Sequence, residues 1–501
     1  MSATAKATSI YTQTHLQCTS KLSLQPGLGS TSKKSRLKRS LGTLSCIAPE
    51  QPAAMCRPPA EAELMTDPAD TPTEAARLTD KKPDYSSLPA VFVPTRRRET
   101  MTCDLARLSA MAVGGHCFKN ALASLQPLLQ LGAARYGALM AAIGAPGATV
   151  TPLLGGLAFD AQPRRAAIVF ASVALLGGAI CAGGLVQGSP AAVLAGGVVL
   201  GVGHGCLVVA SRAIASERKE DQAYAQGVLA AFANLGAWAG RAAAAPLAVK
   251  TGTVATPLSA ALAVQTLSLG AAATASSVRR ARRRPADCPF FASQRYWLVA
   301  GAHACVFGSF KVFEQFSSAI FVQRFSYDVR TAGLMASSVP LLSAVLAPYA
   351  GKLADRASVT QRNFCTALAL GLAALAVFVL CTEVSRTTLL GCVGCVALGH
   401  AVLPTLLLAR LRATLCSASS VGVAFGACEA LAAAAHVLAN LAFAYFHGKR
   451  AYAGAMGLLA ALLALGFGLF VRSAHLGPAP PIRSRSGDSP VSPTSMPVSF
   501  V

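Results

Sequence analysis

The segments GLAFDAQPRR, Gly156 to Arg165, and GKLADR, Gly351 to Arg356, decide how this chain folds. Each follows a long apolar run, places a glycine four residues before an aspartate, and carries arginine just beyond it. Glycine permits close helix approach, and an aspartate at such a place caps a following helix N-terminus and attracts arginines. Matching loops near the start of two similar apolar halves are how many membrane carriers are built. Gly156, Asp160, Arg164 and Arg165 read as one gating latch, and Gly351, Asp355 and Arg356 as the second. Such charges lock the basic side closed and release it when the halves rock.

The rest of the chain agrees with a membrane reading. With 53% hydrophobic and 13% charged residues over 501 positions and a mean hydropathy of +0.50, it is too apolar to clothe itself in water. Alternating strands of barrel type are absent, so the spanning elements are helices, whose backbone groups are satisfied internally. Twelve apolar stretches, each near the ~20 residues that cross a hydrocarbon core, fall near 104–127, 133–157, 166–187, 190–212, 223–247, 253–277, 293–322, 331–354, 363–382, 387–410, 418–446 and 451–471. The chain divides into a basic tail over 1–100, a six-span half over 101–277, a linker over 278–294, a second half over 295–472 and a Pro- and Ser-rich tail over 473–501. Both tails have the composition of disordered segments.

A net charge of +23 suggests nucleic acid in a soluble protein, but here the basic residues sort by side of membrane. Arg164, Arg165, Arg212, Arg218, the run from Arg279 to Arg284, Lys352, Arg356, Arg362, Arg410, Arg412 and Arg472 are assigned to alternate loops, and the other loops hold fewer. The positive-inside rule then puts tails and linker in the cytosol. No nucleic-acid partner is expected. Nor does the chain hold a P-loop, an HExxH helix or a nucleophile elbow, so it reads as neither ATP-driven pump nor enzyme. No cofactor, metal or catalytic residue is assigned. Cys392 and Cys395 form a CxxC inside an apolar span and read as packing residues rather than redox or zinc ligands.

Upstream of the spans, the first 49 residues lack acid and resemble an organelle transit peptide in composition. A basic cytosolic tail, or a later start at Met55, Met65 or Met101, is the preferred reading. Tyr85 and Leu88 frame a tetrapeptide of the kind that sorts proteins to endolysosomes. None of the four asparagines, Asn120, Asn234, Asn363 and Asn440, opens a glycosylation sequon.

Ionisable residues inside spans are costly and face a wet cavity or one another. Candidates for a substrate cavity are His116, Lys119 and Asn120 in the first span, His204 and Gly205 in the fourth, Asn234 and Arg241 in the fifth, His303, Lys311 and Glu314 in the seventh, His400 in the tenth and Glu429 in the eleventh. His436 is a further ionisable residue in the eleventh span. Lys311 and Glu314, three apart, share a helical face and can pair. Taken singly, each histidine reads more simply as neutral and packed. Gly197, Gly201 and Gly205 recur at the spacing of close helix packing, and Gly144, Pro146 and Pro152 loosen the second span.

Several stretches resemble the major facilitator superfamily domain-containing protein 1 family. They are CFKNALASLQ (Cys117 to Gln126), the surroundings of Tyr136, Pro146 and Gly155-Gly156, GVGHGCLVVA (Gly201 to Ala210), YWL (Tyr296 to Leu298), QRFSYD (Gln323 to Asp328), SAVLAP before GKLADR, and GVAFGACEA (Gly422 to Ala430). The resemblance implies an all-helical fold of two pseudo-symmetric six-helix halves working by alternating access, with spans 1, 4, 7 and 10 around the cavity. Each of those spans holds a histidine in this chain. It further implies a lysosomal dipeptide uniporter paired with a glycosylated single-span accessory subunit; a homodimer, the plasma membrane or another organelle stay open. The family's clamp charges fall at Gly205 and Asn234, and an acidic position falls at Lys119. Those departures favour neutral or acidic over cationic dipeptides; an organic anion or sugar as solute is the alternative that Lys119, Arg241 and Lys311 favour. A transport-dead sensor is the reading from a different class.

Overall fold

The computed structural model describes residues 105–129, 132–149, 151–216, 221–274, 289–415 and 421–476, with side chains left undescribed at Ala148, Pro163, Arg164, Pro289 and Phe290. Both tails beyond these bounds, the arginine run of the linker and the Tyr85–Leu88 tetrapeptide lie outside the described residues.

Every regular element among the described residues is helical. In chain order the α-helices are α1 Val113–Leu125, α2 Ala133–Gly144, α3 Thr151–Ala161, α4 Pro163–Gln187, α5 Pro190–Ala215, α6 Gln222–Thr251, α7 Ala255–Thr274, α8 Gln294–Phe325, α9 Val329–Arg356, α10 Val359–Val379, α11 Arg386–Ala413, α12 Val421–Gly448 and α13 Tyr452–His475. Side-chain caps start several of them. Ser189, Ser293 and Ser385 accept from backbone N–H groups three residues on, Asp328 does the same for Thr331 at 3.0 Å, and Ser358 with Gln361 closes a full capping box on α10. These caps satisfy N–H groups that a helix start leaves without partners. Gly188 and Gly252 end α4 and α6 in the left-handed region, at φ 69° and 68°, where a side chain is strained.

Among the described residues, 9 helices are long and apolar enough to cross a membrane, and a bent pair raises the number to 10. That pair is the second expected span. Gly144 and Pro146 interrupt it with a 3-10 turn over Ala145–Ala148, and its halves α2 and α3 meet at 43°. Two expected spans fall short of that measure for physical reasons. The first is divided by a turn at Met111 and Ala112, leaving α1 only 13 residues long. The fifth, α6, is long enough but carries Gln226, Asn234 and Arg241, all buried; polarity turned inward lowers hydropathy without exposing charge to lipid. Large apolar side chains such as Phe364, Leu375 and Phe378 on α10 and Leu438 on α12 are exposed on the outside, as a lipid-facing surface requires.

The helices up to α7 meet those from α8 along two seams. In one, Gly227 and Gly351 lay α6 on α9. In the other, α2 and α3 lie on α12, with Gly137 against Ala444 and Gly156 against Gly422. The glycine series of α5 divides by role. A Cβ on Gly201 would lie 2.1 Å from the Ile143 carbonyl oxygen, so α5 touches α2 there, whereas Gly205 has open space beside it. Gly201→Val is therefore expected to cost more than about 3 kcal/mol, the upper end for overpacking, and Gly205→Ala to leave stability near wild type. Melting temperatures of the two purified variants check the contrast.

Candidate functional site

Between the two halves lies a cavity of two adjoining lobes, with about 770 and 830 Å³ of empty space. Helical spacing builds it. On α5, His204, Val208 and Arg212 follow one another at intervals of one turn and present one face, and on α8 Phe307, Lys311, Glu314 and Gln315 do the same. His116, Val208, Arg212, Phe307 and Lys311 border both lobes.

Charge on these walls is organised in three groups. Lys311 Nζ donates to Glu314 Oε2 at 2.7 Å, and His400 Nε2 lies 3.2 Å from Glu314 Oε1. The His400 ring is held from behind by Ser343, with Nδ1 3.0 Å from its hydroxyl oxygen. Across the seam, Arg212 of α5 forms an ion pair with Glu429 of α12, and His303 Nε2 stands 3.5 Å from Arg212 Nη1 and 3.8 Å from Glu429 Oε1. The third group is Arg241, fully buried. It donates to Asn120 Oδ1 at 2.7 Å and to Ser317 Oγ at 3.1 Å, tying α6 to α1 and α8.

Lys119 belongs to none of these groups. It lies one turn beyond His116 on α1, half-buried on the wall of the larger lobe, and among the described residues no carboxylate lies within ion-pair distance of it. The lining cations are Lys119, Arg212 and Lys311 against Glu314 and Glu429. With Arg241 directly behind the wall, the site carries an excess of positive charge. In addition, His116 and His204 meet edge to face with ring centres 4.6 Å apart, and His436 Nε2 sits 2.8 Å from Asn440 Nδ2 and 3.2 Å from Gln315 Oε1.

Most of the residues expected at the cavity do line it: His116, Lys119, Asn120, His204, Gly205, Lys311, Glu314 and Glu429 in the larger lobe, and Asn234 and His400 in the other. Arg241 and His303 are corrected to positions behind the wall, because the first is consumed by Asn120 and Ser317 and the second stands behind the Arg212–Glu429 pair. Arg212 is the main residue the sequence reading misplaced. It is not a loop arginine but lies in the last turn of α5 and points inward; its interval of two turns from His204 was the available signal. Arg410 and Arg412 likewise belong to the last turn of α11 rather than to a loop. Lining residues not anticipated as such include Gln226, Phe307 and Gln315, and His436, noted in the eleventh span, lines the larger lobe.

The repeated glycine–aspartate motif is also inter-half, which corrects the expectation of a cap on the following helix. Asp355, near the end of α9, accepts from the backbone N–H groups of Ala223 at 2.9 Å and Tyr224 at 2.8 Å, at the start of α6. Four residues earlier, Gly351 lets the backbones close: its Cβ would stand 2.3 Å from the Ala223 carbonyl oxygen. The first copy repeats the geometry. A Cβ on Gly156 would stand 2.4 Å from the Gly422 carbonyl oxygen, and one on Gly422 would stand 2.5 Å from Asp160 Oδ1, so Asp160 reaches the start of α12. Each aspartate thus faces the N-terminus of a helix of the opposite half, where unpaired N–H groups and the helix dipole favour negative charge. Arg165 and Arg356 are exposed, and Arg165 Nη1 donates to Gln162 Oε1 at 3.3 Å; for Arg164 only the backbone is described.

At the far end the halves meet again. Gly333 on α9 packs near Ser124 of α1 and Ala245 of α6, and the Tyr136 hydroxyl of α2 donates to the Gln315 carbonyl oxygen of α8 at 3.3 Å. The cavity therefore lies between two sets of inter-half contacts.

This fold is shared with solved transporters. The human organic anion transporter MFSD10 (TETRAN) matches with a TM-score of 0.58 and 17% identity over 73% of this chain and 99% of its own. The Escherichia coli fucose:proton symporter FucP matches with a TM-score of 0.55 and 13% identity over 74% of this chain and 98% of its own. No curated protein matches at the sequence level. The Major Facilitator Superfamily model matches residues 108–409, more than half of the 501-residue chain, and the chain belongs to that family, whose members carry small solutes across membranes.

Proposed function

We propose that this protein carries a small carboxylate-bearing solute by alternating access, with Lys119 as the charge that receives the carboxylate. The observation that supports this is Lys119 on the wall of a cavity between the halves, without an ion-pair partner among the described residues, while the other described lining charges pair as Arg212 with Glu429 and Lys311 with Glu314. Within 4 Å of a carboxylate, at the effective dielectric of about 20 suited to protein sites, an ammonium contributes about 4 kcal/mol of Coulomb attraction and repels a cation equally. One fold serves an organic anion carrier and a sugar symporter, so the substrate is read from this chain's own cavity and not from the fold.

A dipeptide is the second reading, favoured by the coexistence of cations with Glu314 and Glu429 in one cavity. Its carboxylate would meet Lys119 and its amino group Glu314, which leaves neutral and acidic dipeptides as the acceptable ones. Gly205 and Asn234 offer no charge for a clamp on the peptide backbone. Uniport in a lysosomal membrane, with an accessory subunit, is the biological setting proposed for that reading. The Asp160 and Asp355 contacts are the proposed gates of the cytosolic side.

Thermal shift of the purified protein tests the charge preference. A ligand that binds the folded state raises the melting temperature by mass action, by about 2.7 kcal/mol of added stability at a hundredfold excess over Kd. Mono- and dicarboxylates and neutral or acidic dipeptides are expected to raise it, and lysyl or arginyl dipeptides to leave it unchanged. A shift confined to uncharged sugars, or to cationic dipeptides, contradicts the proposal.

A further inference from the structure

Apart from the central cavity, the molecule holds an arginine-lined pocket at the end of the bundle that carries Asp355. It offers about 520 Å³ of partly open space and is bordered by Arg295, Arg362, Asn363, Thr366, Leu406 and Arg410, among others, and among the described residues no carboxylate lines it. The three guanidinium groups come from three helices: Arg295 from the first turn of α8, Arg362 from the first turn of α10 and Arg410 from the last turn of α11. Their charges bear on one another, and among the described residues no ion pair engages Arg362 or Arg410.

Arg410 is built into place rather than left waving in solvent. It donates to the Asn363 side chain and, through Nη2, to the Ser473 carbonyl oxygen at 3.2 Å, and its guanidinium lies 4.9 Å from the centre of the Phe470 ring. Its Nε is buried without a partner. A buried guanidinium N–H without an acceptor carries an uncompensated desolvation cost. The Arg362 charge beside Arg410 adds like-charge repulsion, and an anion relieves both. The lining also holds the apolar Val359, Leu406 and Ala409.

We propose that this pocket binds a phosphate group, from the head group of an anionic phospholipid or from free phosphate. Guanidinium groups suit the oxygens of a phosphate because each presents several donors in a fixed fork. The arginine asymmetry puts this end of the bundle at the cytosolic leaflet, where anionic lipids concentrate and attract basic residues. Basic pockets between helices at that depth are suited to such head groups. The pocket is separate from the solute cavity, so it is a place where the surrounding lipid can set the stability of the second half.

The test uses the purified full-length protein in detergent, titrated separately with phosphatidic acid, phosphatidylcholine and inorganic phosphate while the melting temperature is followed. Phosphatidic acid is expected to raise it and phosphatidylcholine to do so far less; a matching rise with inorganic phosphate identifies the free anion as ligand. In Arg295→Gln/Arg362→Gln the half-effective concentration of phosphatidic acid should rise about thirtyfold, from about 1 kcal/mol for each basic residue lost. Asn363→Asp, which keeps all three arginines but places a carboxylate in the pocket, should lose the response as well and serves if the double variant does not fold. No shift with either phosphate source, equal shifts with phosphatidylcholine, or an unchanged titration in the variants overturns the proposal.

Discussion

Arg212→Gln is expected to abolish solute uptake in proteoliposomes and to lower the melting temperature, whereas Arg212→Gln/Glu429→Gln recovers most of the lost stability. The reason lies in the asymmetry of buried ion pairs. Breaking one by removing a single partner costs about 3–5 kcal/mol because the remaining charge is stranded, while replacing both partners is often close to neutral. In this chain the stranded group is the Glu429 carboxylate, on the wall of the cavity that a carboxylate solute must enter, so function suffers beyond stability. A double-mutant cycle on melting temperature, with initial uptake rates beside it, measures the coupling. Additive single effects would show that Arg212 and Glu429 do not act as a pair.

Asp160→Asn/Asp355→Asn is expected to open the arginine-rich side while leaving the fold largely intact. Asp355 gives both carboxylate oxygens to backbone N–H groups at the start of α6, and Asp160 reaches the start of α12. Asparagine keeps one acceptor but loses the charge, and hydrogen bonds to charged groups contribute about 1.5–3 kcal/mol each. Loss at both places shifts the closed-to-open equilibrium by at least about tenfold, the equivalent of 1.4 kcal/mol. A cysteine introduced at Ser211, on the wall of the second lobe, reports the change as faster modification by a membrane-impermeant reagent added from that side. Wild-type modification and transport rates in the double variant would reduce the two aspartates to helix caps without a gating role.

Helix order and approximate bounds were legible because runs of about 20 apolar residues have few other uses in a chain this hydrophobic. The break at Gly144 and Pro146 followed from the same local chemistry. Long-range partners were not legible to the same degree. The repeated glycine–aspartate spacing announced a contact but not its target, since Ala223 and Gly422 lie far away in the chain and belong to the opposite half. Arg212 was misread because an arginine near the end of an apolar run has two physical outcomes, a cytosolic loop or an inward-facing last turn. Only the helical phase set by His204 and Val208 separates them. Arg241 and His303 show the converse: a buried ionisable residue on a cavity-forming helix need not line the cavity when residues of the wall engage it from in front, Asn120 for Arg241 and the Arg212–Glu429 pair for His303.

The central claim is that Lys119 sets the solute's charge. Competition uptake with a matched series of anionic, neutral and cationic dipeptides and simple carboxylates, in proteoliposomes holding wild type or Lys119→Asp, tests it most directly. The attraction of about 4 kcal/mol that an ammonium gives a carboxylate at 4 Å becomes a repulsion of similar size in the variant. Wild type should therefore prefer anionic and neutral solutes, and Lys119→Asp should reject carboxylates and move its preference toward cations by more than a hundredfold, an order-of-magnitude expectation from the same Coulomb term. The same charge preference in both proteins, or a wild type that favours lysyl and arginyl dipeptides, contradicts the account.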